Sequence, residues 1–255
     1  MGKYDSSIYR VRPLMEYIEG SDVAFGSLLS LVGIEPLGKP EIYRYNGEEC
    51  KEMQLKPTKK HLMALIDIMA IKDHTGASVK GEKRCALFFG NAREREDACK
   101  MAKRELEEKY EGLTPSTRAW YVFEGFTNPD IFIEGDDYVI VCEGKWTEPH
   151  ITTTTTHLSG TGEYRNQMIR HIQGALNYTR DTGKRVYAFY IVDGECGYLD
   201  DLTGESLARQ LELETVKLSA DEKRTISETF FGYTTWQDIE KKLPGIVFKS
   251  KKDII

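Results

Sequence analysis

NPDIFIEGDDYVIVCEGKW, residues 128–146, is the stretch whose reading decides the fold. IFIE is apolar, GDD at 135–137 is turn chemistry, and YVIVCEGKW resumes an extended pattern, so the segment predicts two short antiparallel strands around a tight turn. Side chains alternate along a strand, which puts Val139, Val141, Glu143 and Lys145 on one face and Tyr138, Ile140, Cys142 and Gly144 on the other. An apolar face that ends in an acid and an amine is costly to bury unless those charges meet each other, a metal or a ligand. Folding the hairpin at Gly135 returns the Asp130 end towards Glu143 and Lys145, so two carboxylates and one ammonium converge at one rim. Hard oxygen ligands of this kind suit Mg²⁺ or Mn²⁺, which keep several waters and accept phosphate oxygens, with Lys145 available to hold or deprotonate an attacking water. The alternative without chemistry makes Asp130 a turn residue and Glu143 with Lys145 a strand-end ion pair.

Pro129-Asp130 followed by Glu143-x-Lys145 resembles the PD-(D/E)XK signature of restriction-endonuclease-like nucleases, and the resemblance extends over roughly residues 91–193. It implies an α/β fold whose core runs helix, three strands, helix, strand, with a mixed central sheet flanked by helices. It also implies metal-dependent hydrolysis of phosphodiester bonds in nucleic acid, DNA above all. Asp130, Glu143 and the Gly144 carbonyl would hold Mg²⁺ or Mn²⁺, and Lys145 would act on the water. An acid on the first core helix often reaches the metal through water in such nucleases, which singles out Glu94; capping of its own helix is the competing explanation of that residue. A nuclease-like domain that binds nucleic acid or a partner protein without cutting is the alternative function, and another hydrolytic substrate for the same metal site is a third.

The surrounding elements follow from their periodicity and caps. KKHLMALIDIMAIK sets Leu62, Leu65, Ile66 and Met69 at helical spacing. RCALFF reads as a short strand, and Asn91-Ala-Arg-Glu94 as a capping box that opens a helix to about Tyr110. AWYVFEGF reads as the first core strand. In EYRNQMIRHIQGALNYTRDTG, residues 163–183, Met168, Ile169, Ile172, Ala175 and Leu176 form an apolar helical stripe. A second stripe of Asn166, Arg170, Gln173 and Asn177 is polar and suits contact with phosphate oxygens or bases, an ordinary polar flank being the competing explanation. KRVYAFYIV reads as a buried central strand reached by a helical crossover. Ser219-Ala-Asp-Glu222 is a second capping box, TTWQDIEKKL a further helix, and GIVFKSKK an edge strand. The threonine run at 152–156 is too polar for a core and reads as a flap or a plain polar connection. Three regions result: an N-terminal, mostly helical extension over 1–84, a nuclease-like core over 85–200, and C-terminal additions over 201–255.

The formal charge of −6 on 255 residues argues against nucleic-acid binding through an overall positive field, while leaving room for a locally basic cleft. Cys50, Cys85, Cys99, Cys142 and Cys196 are widely spaced, which predicts reduced thiols and no zinc or iron–sulfur site. No apolar stretch approaches a secretory signal or a bilayer span, so the expectation is a soluble cytoplasmic protein with no membrane partner. Symmetric cutting of a duplex would make a homodimer attractive.

Overall fold

The computed structural model describes residues 6–45, 53–74, 79–148, 150 and 164–250. Its sheet holds β1 (Ile42–Tyr45), β2 (Ile131–Glu134), β3 (Tyr138–Gly144), β4 (Arg185–Val192) and β5 (Phe230–Thr235), in that spatial order. β1, β2 and β3 pair antiparallel, and β3, β4 and β5 pair parallel, giving a mixed five-stranded sheet. The expected hairpin is β2–β3, with Phe132 opposite Val141 and Gly135 donating its amide to the Tyr138 carbonyl at 3.0 Å. A β-carbon on Gly135 would lie 2.3 Å from Tyr138 Cε1, so only glycine lets that ring fold back over the turn.

The nine α-helices among the described residues are α1 (Arg12–Glu19), α2 (Asp22–Leu31), α3 (Lys59–Ile71), α4 (Glu82–Phe89), α5 (Ala92–Lys109), α6 (Gln167–Thr179), α7 (Gly204–Leu213), α8 (Ala220–Thr229) and α9 (Trp236–Lys242). Alternation along β3 sorts the core into layers. Tyr138, Ile140 and Cys142 pack with Leu14, Phe25 and Ile239 of α1, α2 and α9. Val139 and Val141 face Ile169 and Ile172 of α6, with Leu207 and Ile226 of α7 and α8 beyond. α6 is the crossover that parallel pairing of β3 and β4 requires. A third cluster joins α3, α4 and α5 to Tyr121 and Phe123. No helix of the described residues is long and apolar enough to cross a membrane. Cys85, Cys99, Cys142 and Cys196 are free thiols, while Cys50 lies outside the described residues.

Three sequence expectations are corrected. AWYVFEGF, residues 119–126, is irregular and not a strand, because Tyr121 and Phe123 bury themselves against α3–α5 instead of pairing; β1 supplies the third antiparallel strand. RCALFF is part of α4, where the adjacent Leu87 and Phe88 both turn into the helical cluster. GIVFKSKK makes no strand among the described residues: Ile246 and Phe248 alternate inward against the α9 layer with no partner chain, and the last strand is β5. The sheet therefore crosses both expected boundaries, taking β1 from residues 1–84 and β5 from residues 201–255.

Candidate active site

Glu143 and Lys145 stand at the end of β3, where its antiparallel partner has run out and α6 covers the face that Val139 and Val141 begin. Both side chains are buried, and Lys145 Nζ lies 2.7 Å from Glu143 Oε1. The amide of Lys145 donates to the Ile191 carbonyl of β4 at 2.8 Å, and its carbonyl accepts from Trp236 Nε1 at 2.8 Å. The backbone carrying the amine is thereby held by α9 and by the central strand. Asp130, one residue before β2, turns its Oδ2 onto the Gly144 amide at 2.9 Å. A β-carbon on Gly144 would lie 2.9 Å from Val11 Cγ2 and 3.3 Å from Trp236 Cζ2, so the close packing of Val11 and the indole on this strand end depends on glycine, whereas Asp130 Oδ2 would remain at an ordinary contact distance. Asp130, Glu143, Gly144 and Lys145 thus meet at one rim of the sheet.

Two further side chains come from α6. Gln167 Oε1 accepts from Lys145 Nζ at 3.3 Å, and His171, one turn later on the same helix face, brings Nε2 to 2.9 Å from Glu143 Oε2. His171 Nδ1 lies 2.8 Å from Thr127 Oγ1. Burial lowers the pKa of His171, although Glu143 opposes the shift, so the imidazole is neutral at neutral pH. An ionised carboxylate can only accept, which assigns the imidazole proton to Nε2 and makes Thr127 the donor to Nδ1. Burial alone would raise the pKa of Glu143, but the Lys145 charge and the His171 hydrogen bond outweigh it and bring the group down to about 2. Lys145 shifts the opposite way and is raised: burial works against its charge, and Glu143 with Asp130 overcome it.

Of the polar stripe of α6, Asn166, Arg170 and Gln173 are buried, and all four residues hydrogen-bond within the protein. Asn166 caps the helix, accepting from the Ile169 amide at 3.0 Å and donating to Gln210 at 2.5 Å. Gln173 accepts from Arg165 at 2.7 Å, and Asn177 donates to the Lys56 carbonyl and the Tyr110 hydroxyl at 3.2 and 3.0 Å. Arg170 reaches the Gly125 carbonyl at 3.2 Å and lies 3.3 Å from Glu124 Oε1. Glu124 is the hub of this buried network: Arg165 binds it through two nitrogens at 2.9 and 3.1 Å, and His61 Nε2 lies 3.0 Å away. The four stripe residues therefore hold α6 to its surroundings, and Gln173 and Asn177 also line a pocket with Thr58, Arg180 and Glu222. Glu94 is exposed and closes the capping box of α5, accepting from the Asn91 amide at 2.8 Å. Helix capping accounts for it, since α5 packs on α3 and α4 and not on the hairpin. His157 and the threonine run lie outside the described residues.

Gln167, His171 and Thr127 escaped the sequence reading. The signal for the first two was their spacing of four on one helix, hidden because His171 sits among the apolar residues of the stripe facing β3. No group of three or more His, Cys, Asp or Glu side chains among the described residues is arranged to hold a metal ion. No protein-family model, curated protein or solved structure matches the chain.

Proposed function

We propose that the protein is a metal-dependent nuclease with a restriction-endonuclease-like core, hydrolysing phosphodiester bonds of nucleic acid, DNA in the first place. The observation that carries the reading is the meeting of Asp130, Glu143 and Lys145 at the end of the hairpin, with Lys145 Nζ 2.7 Å from Glu143 and Asp130 bound to the intervening Gly144 amide. Both carboxylates are buried at a place where packing alone would favour apolar side chains. Their hard oxygens suit Mg²⁺ or Mn²⁺, and each carboxylate oxygen that accepts one hydrogen bond keeps a further lone pair. Asp130, Glu143 and the Gly144 carbonyl would hold the ion. A divalent ion bound there supplies polarisation of the phosphate and a more acidic water. Lys145 offers a fixed positive charge and hydrogen-bond donors to that water or to the phosphate. Gln167 orients the ammonium, and His171 orients Glu143.

A second reading, a nuclease-like domain that binds without cutting, is favoured by one observation. Both oxygens of Glu143 are engaged by protein groups, and a silent site would look the same. Incubation of supercoiled, linear and single-stranded DNA and of RNA with Mg²⁺, Mn²⁺ or EDTA separates the two. The nuclease yields products with metal and none with EDTA, whereas a binding module shifts mobility without products. Asp130→Ala and Lys145→Ala are expected to abolish metal-dependent cleavage with the circular dichroism spectrum kept. Cleavage unchanged in both variants rules the assignment out.

A further inference from the structure

A cavity of about 410 Å³ opens beside α3 and α4, away from the hairpin, and its walls carry Lys80, Arg84 and Arg118 together with Trp120 and Phe126. Its size is that of a small-molecule site. The three cations stand apart in how they are satisfied. Arg84 donates to the Trp120 and Val122 carbonyls at 2.8 and 3.2 Å, and Arg118 to the Pro115 and Thr117 carbonyls at 3.1 and 3.5 Å, all of them neutral acceptors. Lys80 has no hydrogen-bond or ion-pair partner among the described residues. The lysines on the neighbouring helices behave otherwise: Lys59, Lys60, Lys83 and Lys103 pair with Glu107, Glu222, Glu105 and Asp67. Glu124 is the one acid among the described residues of the cavity wall, and Arg165, His61 and Arg170 already surround it. Three cations without a carboxylate partner, facing one cavity in a chain of net charge −6, form a local anion trap.

We propose that this cavity binds a nucleotide, its phosphate held by Lys80, Arg84 and Arg118 and its base lying against Trp120 and Phe126. Guanidinium forks match phosphate oxygens, and every base has a π-face that can stack on an aromatic side chain. A free mononucleotide and a nucleotide within a strand share this chemistry. One loop borders both the cavity and the carboxylate centre: Gly125 of the cavity wall accepts from Arg170 at 3.2 Å, and Thr127, two residues on, holds His171. The site is separate from the carboxylate centre and needs no metal.

Calorimetric titration of the full chain in EDTA tests it, with deoxyadenosine monophosphate, a short single-stranded oligodeoxynucleotide and inorganic phosphate as probes. The variants are the double substitution Lys80→Gln, Arg118→Gln, and the single substitution Trp120→Leu, each checked for fold by circular dichroism. Saturable nucleotide binding, tighter than that of phosphate and weakened about ten-fold or more in both variants, is the expected result. The double variant should also lower the log–log salt slope of oligonucleotide binding by about two. Binding of the monophosphate identifies a free nucleotide as the source, and binding of the oligonucleotide alone identifies a strand. Absence of binding by either, equal binding by wild type and double variant, or phosphate binding as tightly as the nucleotides overturns the proposal. Because no turnover is read in EDTA, the outcome is independent of whether the carboxylate centre cuts.

Discussion

His171 Nε2 lies 2.9 Å from Glu143 Oε2, and both groups are almost fully shielded from water. The imidazole is itself fixed by Thr127 at 2.8 Å, so a loop, a helix and a strand agree on one orientation of a single carboxylate. Lys145 takes the other oxygen of Glu143. Nothing in packing requires a histidine at this point of α6, where its neighbours Met168, Ile169 and Ile172 are apolar core.

Replacing His171 with Ala removes a donor from a buried carboxylate and is expected to cost about 1–3 kcal/mol of stability, read as a fall in the urea midpoint. In the proposed nuclease it should also lower the metal-dependent rate by about 10–100-fold, as loss of a group that orients a metal ligand commonly does. His171→Gln, whose amide can restore a donor towards Glu143, should recover part of both. An Ala variant as stable and as active as the wild type would show that the contact orients nothing.

Glu124 offers a second test in a different part of the molecule. Its carboxylate faces Arg165, Arg170 and His61, and Arg165 in turn holds Glu214 at 2.5 Å. Glu124→Gln leaves two buried guanidinium groups against a neutral amide, and breaking a buried ion pair from one side is strongly destabilising. A loss of about 3 kcal/mol is expected, because Glu214 still compensates Arg165. Equilibrium denaturation of the variant checks it, and an unchanged midpoint would mean that the network contributes nothing to stability.

The same residue sets a pH dependence. Burial alone would raise the pKa of Glu124, but the Arg165 and His61 charges outweigh it and hold the group well below its ordinary value of 4.5. A group depressed in the folded state contributes stability that is fully present above its unfolded pKa and is lost as pH falls through its folded one. Wild-type stability should therefore decline as pH drops from about 5 towards 3, and the decline in Glu124→Gln should be shallower by up to about 1.4 kcal/mol per pH unit. Parallel curves for the two proteins over that range would refute the linkage.

The hairpin was legible because a strand writes its faces with a period of two, and Gly135-Asp136-Asp137 marks the turn unambiguously. Helices α5 and α8 were legible through the capping boxes at Asn91 and Ser219, both of which form, and α3 and α6 through the helical spacing of their apolar residues; the side-chain caps at Thr58 and Asn166 were not read. Residues 119–126 were misread because Tyr121 and Phe123 alternate as in a strand, and only the presence of α3–α5 determines what they pack against. FFGYTT was missed as β5 because Gly232, at φ 74°, interrupts it. The convergence of Asp130, Glu143 and Lys145 is local to one hairpin and could be read directly. His171 could not, since its partner lies 28 residues away on another element.

The turn itself can be probed through Gly135. With a β-carbon 2.3 Å from the Tyr138 ring, Gly135→Ala forces either the turn or the buried tyrosine to move. Tyr138 also donates to the Gly38 carbonyl at 2.7 Å, so the ring is not free to swing. A loss of about 1–3 kcal/mol is expected. Tyr138→Leu in the same background should relieve part of the clash, and a cycle of the two substitutions measures the coupling.

Gly144 links the fold to the site. Its amide holds Asp130 Oδ2 at 2.9 Å, its neighbours in sequence are Glu143 and Lys145, and a β-carbon on it would press on Val11 at 2.9 Å and on Trp236 at 3.3 Å. Trp236 anchors the Lys145 carbonyl, so relief of the overlap by movement of the indole would shift the amine, and relief by movement of the strand would loosen Asp130. Gly144→Ala is therefore expected to cost about 1–3 kcal/mol, and in the proposed nuclease to reduce metal-dependent cleavage further than the stability loss explains. Val11→Ala supplies room beside the new methyl, and combining it with Gly144→Ala separates the two effects. If the double variant regains stability but not the cleavage, the geometry of the Asp130 contact is what the reaction needs. If cleavage returns with stability, the glycine serves packing alone.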